Sequence, residues 1–217
     1  MLARKLTAAS ARAVAPWWRA GGAPEPVAVY QPIGAASLAA SYVNLANPGV
    51  FDAAPGVAPD FDAAIGWIDP NGTRWLDTGI VIDAVSTWSV FIRFVRGDVG
   101  FRQMFGAVNA LNQGFAIDVG RDSDTRFGFR NCGYSGGPGG NSPASGVVAI
   151  AGNQAYFNGV DAGIVIPAGT APTLSLRLMG MAGVANNFLG SKQAVAIYDT
   201  ALTASKVAAV SAAMAAV

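Results

Sequence analysis

The sequence predicts an all-β fold, an antiparallel sandwich, and three observations carry that expectation. From Gly66 onward, short runs rich in Val, Ile, Phe and Trp recur at close intervals, each bounded by Gly, Asn, Asp or Pro. Within them apolar and polar residues alternate, most regularly in "STWSVFIRFVRG", where Trp88, Val90, Ile92 and Phe94 fall on one face. No strand alternates with a long helical pattern, which excludes a parallel α/β sheet.

Residues 1–24 form an expected N-terminal arm. Leu2, Leu6, Ala9 and Ala13 sit at helical spacing, giving a thin apolar stripe that ends at Pro16. Trp17 and Trp18 follow, then a "GG" break. An arm this short cannot bury two adjacent indoles by itself. They either dock on the chain's own domain or anchor the arm to a neighbouring subunit, a role for which Trp is favoured. In the second case Trp17, Trp18, Leu2 and Leu6 are the assembly contact. Residues 25–65 are rich in Ala, Gly and Pro and too apolar for a free linker, so they are expected to pack on the main domain. Within them "GAASLAASYVNLANPG" suits a short helix or an irregular segment closed by Asn-Pro-Gly turn chemistry.

The sandwich itself is assigned to residues 66–217. "GWIDPNGTRWLDTGI" has the form of a hairpin around "DPNG". "AIAGNQAYFNGVDAG" holds two turn dipeptides, Gly152-Asn153 and Asn158-Gly159, with Tyr156 and Phe157 in the strand between. Trp75 and Trp88, on alternating strands, are expected in the core. "TASKVAAVSAAMAAV" closes the chain as a short helix with Thr203 at its N-cap and a stripe of Val207, Val210, Met214 and Val217. Asp199 and Thr203 are expected to turn the chain into it, with Lys206 on the solvent face.

Composition narrows the chemistry. Hydrophobic residues make up 52% of the 217 and charged residues 12%, about half the usual charged share. A surface so weakly charged suits a protein inside an assembly. The net charge is +1 with no basic run; the widest cluster is Arg4, Lys5, Arg12 and Arg19, so binding to nucleic acid through a phosphate-neutralising face is not expected. No window is apolar enough for a membrane span, and "TAASARAV" is too polar for the core of a signal peptide. The chain is expected to be made in the cytoplasm and not exported by its own signal. It contains no His, which removes Ser-His-Asp and Cys-His catalysis and the commonest zinc ligand. Its one cysteine, Cys132, excludes an internal disulfide and has no His to activate it. The loop "GYSGGPGGNS" lacks the Lys-Ser/Thr ending of a phosphate-binding loop.

Three stretches resemble the concanavalin A-like lectin/glucanase superfamily in its laminin-G-like branch: "WLDTGIVIDAVSTWSVFIRFVRG", "VVAIAGNQAYFNGVDAG" and "FLGSKQAVAIYDTALTASKVAAV". The resemblance implies a jelly-roll β-sandwich. Ahead of it, "PWWRAGG" and "AVYQPIGAASLAASYVNLANPG" resemble the leader of such domains in tailed-bacteriophage and prophage proteins. That implies a virion component, a decoration, fibre or tail-tip protein, partnered by other virion proteins and forming a homo-oligomer, a trimer for a fibre or spike.

Superfamily glucanases work with paired carboxylates about 5–9 Å apart across the scissile bond. This chain has one Glu, Glu25, and it lies outside the sandwich. A non-enzymatic structural role is therefore expected. The alternatives are a receptor-recognition module for host-surface polysaccharide and a divergent glycosidase. For glycans the candidate cluster is Tyr134 with Asn131, Arg130 and Asn141, an aromatic flanked by polar side chains. The family's rim calcium points to Asp118, Asp122 and Asp124 with Asn109, all hard oxygen donors. Asp122 and Asp124 fit better as caps of a turn that offset Arg121 and Arg126, and no EF-hand spacing supports a metal. No other cofactor is implied.

Overall fold

A computed structural model describes residues 15–98, 100–110, 113–121, 126–131, 134–136, 143–167, 169–183 and 186–217. A 3₁₀ turn over Trp17–Gly22 leads into β1 (Ala28–Tyr30), α1 (Leu38–Ser41), β2 (Ala54–Val57), β3 (Asp60–Asp62), β4 (Gly66–Asp69) and β5 (Trp75–Asp77). The long strands follow: β6 (Ser89–Arg96), β7 (Arg102–Ala110), β8 (Gln113–Arg121), β9 (Arg126–Asn131), β10 (Tyr134–Gly136) and β11 (Ser145–Ala151). The chain closes with β12 (Gln154–Phe157), β13 (Val160–Val165), β14 (Arg177–Leu178), β15 (Gly190–Tyr198) and α2 (Ala204–Ala215).

These strands make two sheets, so the expected antiparallel sandwich is what the chain forms. One runs β13-β12-β11-β6-β15-β4-β3, with β1 also paired to β15; the other runs β10-β9-β8-β7-β14-β5-β2. Their facing sides hold Trp88, Val90, Ile92 and Phe94 of the alternating stretch together with Phe105, Phe115, Ile117, Val148, Ile150, Val195 and Ile197. The segment before Gly66 is woven into this frame, since β1 and β3 join the first sheet and β2 the second. Asn44, fully buried, ties it down. Its side-chain oxygen accepts from Val29 N–H and its amide donates to the carbonyls of Val27 and Val50.

The first sheet is buried on both faces. Phe91, Val147, Ala149, Ala194, Ala196 and Tyr198 point outward under Trp17, Leu202, Val207, Val210 and Met214. Trp17 is thus packed on its own domain, with Nε1 donating to Gln31 at 2.7 Å. Trp18 stays half-buried and donates to Glu25, which also pairs with Arg19. The Tyr198 hydroxyl donates to the Trp18 carbonyl at 2.6 Å and fixes this turn to the sheet. Leu2 and Leu6 lie outside the described residues.

Three local expectations are corrected. "DPNG" closes no hairpin, because β4 and β5 belong to different sheets. The buried Asp69 carboxylate gathers the N–H groups of Asn71, Gly72, Thr73 and Arg74, and so winds the chain across from one layer to the other. Thr203 occupies the N-cap of α2 but its side chain caps nothing. The corner is held by Ser89 instead: its hydroxyl donates to the Thr200 carbonyl and accepts from Leu202 N–H, while Asp199 is exposed. Lys206 is half-buried beside the Trp17 turn. The turns at Gly152-Asn153 and Asn158-Gly159 do form hairpins, β11–β12 and β12–β13, with Asn158 and Gly159 both at positive φ as a tight turn of this kind requires.

One buried group stands apart. Lys192 is wholly enclosed, its Nζ 4.3 Å from the Phe188 ring centroid and without a hydrogen-bond partner among the described residues. Burial holds its pKa well below the ordinary lysine value, outweighing the attraction of Asp69. The folded amine therefore binds its proton less tightly than the unfolded one, and unfolding takes up a proton below about pH 10.4. Stability should rise from pH 7 toward pH 9. Lys192→Met should flatten that rise and lift the pH 7 Tm by about 2–4 °C for each kcal/mol recovered. Parallel melting curves of both proteins across this range check it; equal slopes would contradict the assignment.

Candidate ligand-binding face

On the outer face of the second sheet the middle positions Gln103, Gly106, Ala116 and Asp118 are buried, and the part open to a ligand lies at the Trp75, Asp77 and Arg177 end. The sheet's register sorts residues by side. The row Leu76, Leu178, Phe105, Ile117 and Phe129 faces the core. The next row, read across the strands, is Asp77, Arg177, Gly106, Ala116, Arg130 and Tyr134. Six positions spread over about a hundred residues of sequence thus lie in one line. Five strand spacings make that line roughly 24 Å long. Gly106 and Ala116 at its middle are buried, and Asp77 and Arg177 at one end are partly exposed. In the neighbouring row Gln103 pairs with Asp118 and Asp118 with Gly128, and both polar side chains are buried.

Trp75 departs from the expected core placement. The partly exposed indole lies on this outer face, and the Arg177 guanidinium stacks over it at 3.7 Å from the ring centroid. A guanidinium and an aromatic face attract, and the contact orients the cation. Gly56 on β2 makes the room: a Cβ there would come within 2.0 Å of indole Cζ2. Trp88 is in the core as expected, with Nε1 donating to Asp83, whose carboxyl is held below the usual range chiefly by that bond.

At the Asp77 end the face runs into an open depression of about 620 Å³ lined by Phe51, Asp52, Ala54, Asp77, Thr78, Gly79 and Ser175. Asp77 accepts from Gly79 N–H and the Ser175 hydroxyl, and Asp52 from the N–H groups of Asn44 and Gly49. Beneath them the Tyr30 hydroxyl donates to the Phe51 carbonyl. Its pKa is pushed up, first by burial and then by the charges of Asp52 and Asp77, so it remains a hydrogen-bond donor at neutral pH.

The residues singled out from sequence fall in several places. Arg130 and Tyr134 are register partners on β9 and β10 and share the row of Arg177 and Asp77. Asn131 is one step out of that row, opposite Phe115. Asn141, Asp122, Asp124 and Cys132 lie outside the described residues. Asp118 is mid-strand and fully buried rather than on a rim loop. Asn109 exchanges two hydrogen bonds with Thr173, which occupy its amide oxygen and nitrogen. Among the described residues no three His, Cys, Asp or Glu side chains come together, so the donor set for calcium is not assembled there. Trp75 and Arg177 were not singled out as ligand-facing, because only sheet register places them on one surface.

No protein-family model matches the chain, and no curated protein does. Solved structures do. Domain 4 of AbnA, an extracellular arabinanase from Geobacillus stearothermophilus in complex with arabinotriose, superposes with a TM-score of 0.59 at 18% identity, over 86% of this chain and 98% of that domain. A Trypanosoma rangeli sialidase mutant displaying trans-sialidase activity gives 0.56 at 12% identity, over 88% of this chain and 33% of its own. The binding domain of botulinum neurotoxin serotype D gives 0.56 at 10% identity, over 87% and 50% respectively. These likenesses show the lectin-like β-sandwich fold.

If Gly56 exists to admit the indole, Gly56→Ala should cost about 1–3 kcal/mol, the usual toll of overpacking. In a Trp75→Ala background the same change should cost much less. Urea melts of the four proteins measure the coupling, and equal costs in both backgrounds would refute it.

Proposed function

We propose that this chain is a non-catalytic glycan-binding β-sandwich whose ligand lies along the outer face of the seven-stranded sheet. The observation that carries the reading is the Arg177 guanidinium held flat on the partly exposed Trp75 indole, next to Asp77 at the edge of the open depression. Saccharide recognition needs a few oriented polar groups around a shallow surface, and Arg177, Asp77 and Ser175 supply them here. The arabinanase domain solved with arabinotriose matches over nearly its whole length, which supports the same kind of ligand. Of the two acids lining the Asp77 depression, each already accepts two hydrogen bonds, and the lone Glu25 sits away from the face; both facts favour binding over hydrolysis.

The bacteriophage leader resemblance supplies a setting for such a module. An arm ahead of the Trp17 turn, with Leu2, Leu6 and the half-exposed Trp18, would join it to other virion proteins or to further copies. The glycan-binding reading stands independently of that setting.

Isothermal titration with arabinan oligosaccharides, alongside a glycan array, tests the proposal. Saturable binding is expected, weakened about tenfold or more, some 1.4 kcal/mol, by Arg177→Ala with the fold unchanged. Binding untouched by that change would move the site off this face. Failure to bind any glycan on a broad array would defeat the proposal.

A further inference from the structure

Among the described residues no acidic side chain forms an ion pair with Arg177. The ion pairs among the described residues join Arg19 to Glu25, Arg74 to Asp60 and Arg102 to Asp98. Asp77 is the register partner of Arg177 on the same face, yet the two form no ion pair, and the Asp77 oxygens accept instead from Gly79 N–H and the Ser175 hydroxyl. The Arg177 Nε is buried and has no hydrogen-bond partner among the described residues. Leaving a charged donor unpaired is costly, and the rest of the Arg177 side chain is only partly buried, so a ligand can reach it.

The stack on Trp75 shows what kind of ligand. A guanidinium lying flat on an indole spends its face on the ring, leaving the in-plane N–H edge for a planar acceptor. A carboxylate matches that edge with two parallel hydrogen bonds. Because the ring already fixes the side chain, little rotamer freedom is lost on binding. Across from Gln103, Asp118 belongs to the adjacent row and is buried, so it lies off this line.

We propose that the outer face of the second sheet selects acidic glycans, and that Arg177 receives the carboxylate of a uronic-acid residue while Trp75 acts as its positioning residue. This rests on the glycan-binding reading above. It goes further in naming the ligand's charge and the atom group that meets it.

The experiment compares three matched oligosaccharides: one containing uronic acid, its carboxyl-reduced neutral counterpart, and a sulfated counterpart of the neutral form. Each is titrated against the full chain and against Arg177→Gln and Arg177→Lys. The uronate should bind at least tenfold tighter than the reduced sugar, and added salt should erode that advantage. Arg177→Gln should weaken uronate binding far more than it weakens the neutral ligand, so that the difference collapses, and Arg177→Lys should restore only part of it. Trp75→Leu should reduce the uronate preference with Arg177 intact. Equal binding of uronate and reduced sugar to the unaltered protein would overturn the acidic-ligand inference while glycan binding stands. Tightest binding of the sulfated form would replace the carboxylate with a sulfate. No binding of any of the three would overturn the inference, and the array then decides whether glycan binding falls with it.

Discussion

Burial of the eight-stranded sheet on both sides is the constraint from which the rest follows. The central strands β6, β11 and β15 carry apolar side chains on both faces, so neither face tolerates water. The inner one is met by the second sheet. The outer one needs its own cover, and α2, Leu202 and the Trp17 turn provide it. Helix and turn brace each other closely: a Cβ on Gly21 would lie 2.6 Å from the Ala209 Cβ. With that side closed, a ligand is left the Trp75, Asp77 and Arg177 end of the second sheet, where side chains are partly exposed.

The same logic separates what could be seen in the sequence from what could not. Val90, Ile92 and Phe94 announced their strand because alternation is a local property, and the helix stripe of Val207, Val210 and Met214 did so for the same reason. Asn158-Gly159 was legible because a two-residue turn depends on its own two residues. "DPNG" misled because its turn composition is real while the direction in which the chain leaves depends on a buried carboxylate, Asp69, collecting four backbone N–H groups. Trp75 misled more instructively. Its strand is short, its outward position follows from pairing with β2 and β14, and its partner Arg177 lies far along the chain. Arg130 and Tyr134 were found from local composition, but their alignment with Arg177 is a property of four strand pairings that no single window contains.

Polar groups inside this molecule do unequal work. Asn44, Asp69 and Ser89 each satisfy several backbone groups and hold a corner where regular pairing stops. Such side chains substitute for missing ladder bonds. Lys192 satisfies none, and its burial against Phe188 is a cost carried by the surrounding packing. Arg177 lies between these cases, oriented by an aromatic ring and half open to solvent.

The position of β15 also sets the order in which this chain can assemble. That strand lies between β6 on one side and both β4 and β1 on the other, so Ala28–Tyr30 must wait for a partner some 170 residues downstream. Closing a loop of that length is entropically slow rather than prohibitive, because the cost grows only with the logarithm of length. On the ribosome the meander β7–β9 and the hairpins β11–β13 can form as they emerge. Strand β1 cannot, and until Gly190–Tyr198 is released it, one edge of β4 and one flank of β6 stay open. Synthesis of this protein therefore includes an interval in which its earliest segment is its least protected, and chaperone demand should concentrate there.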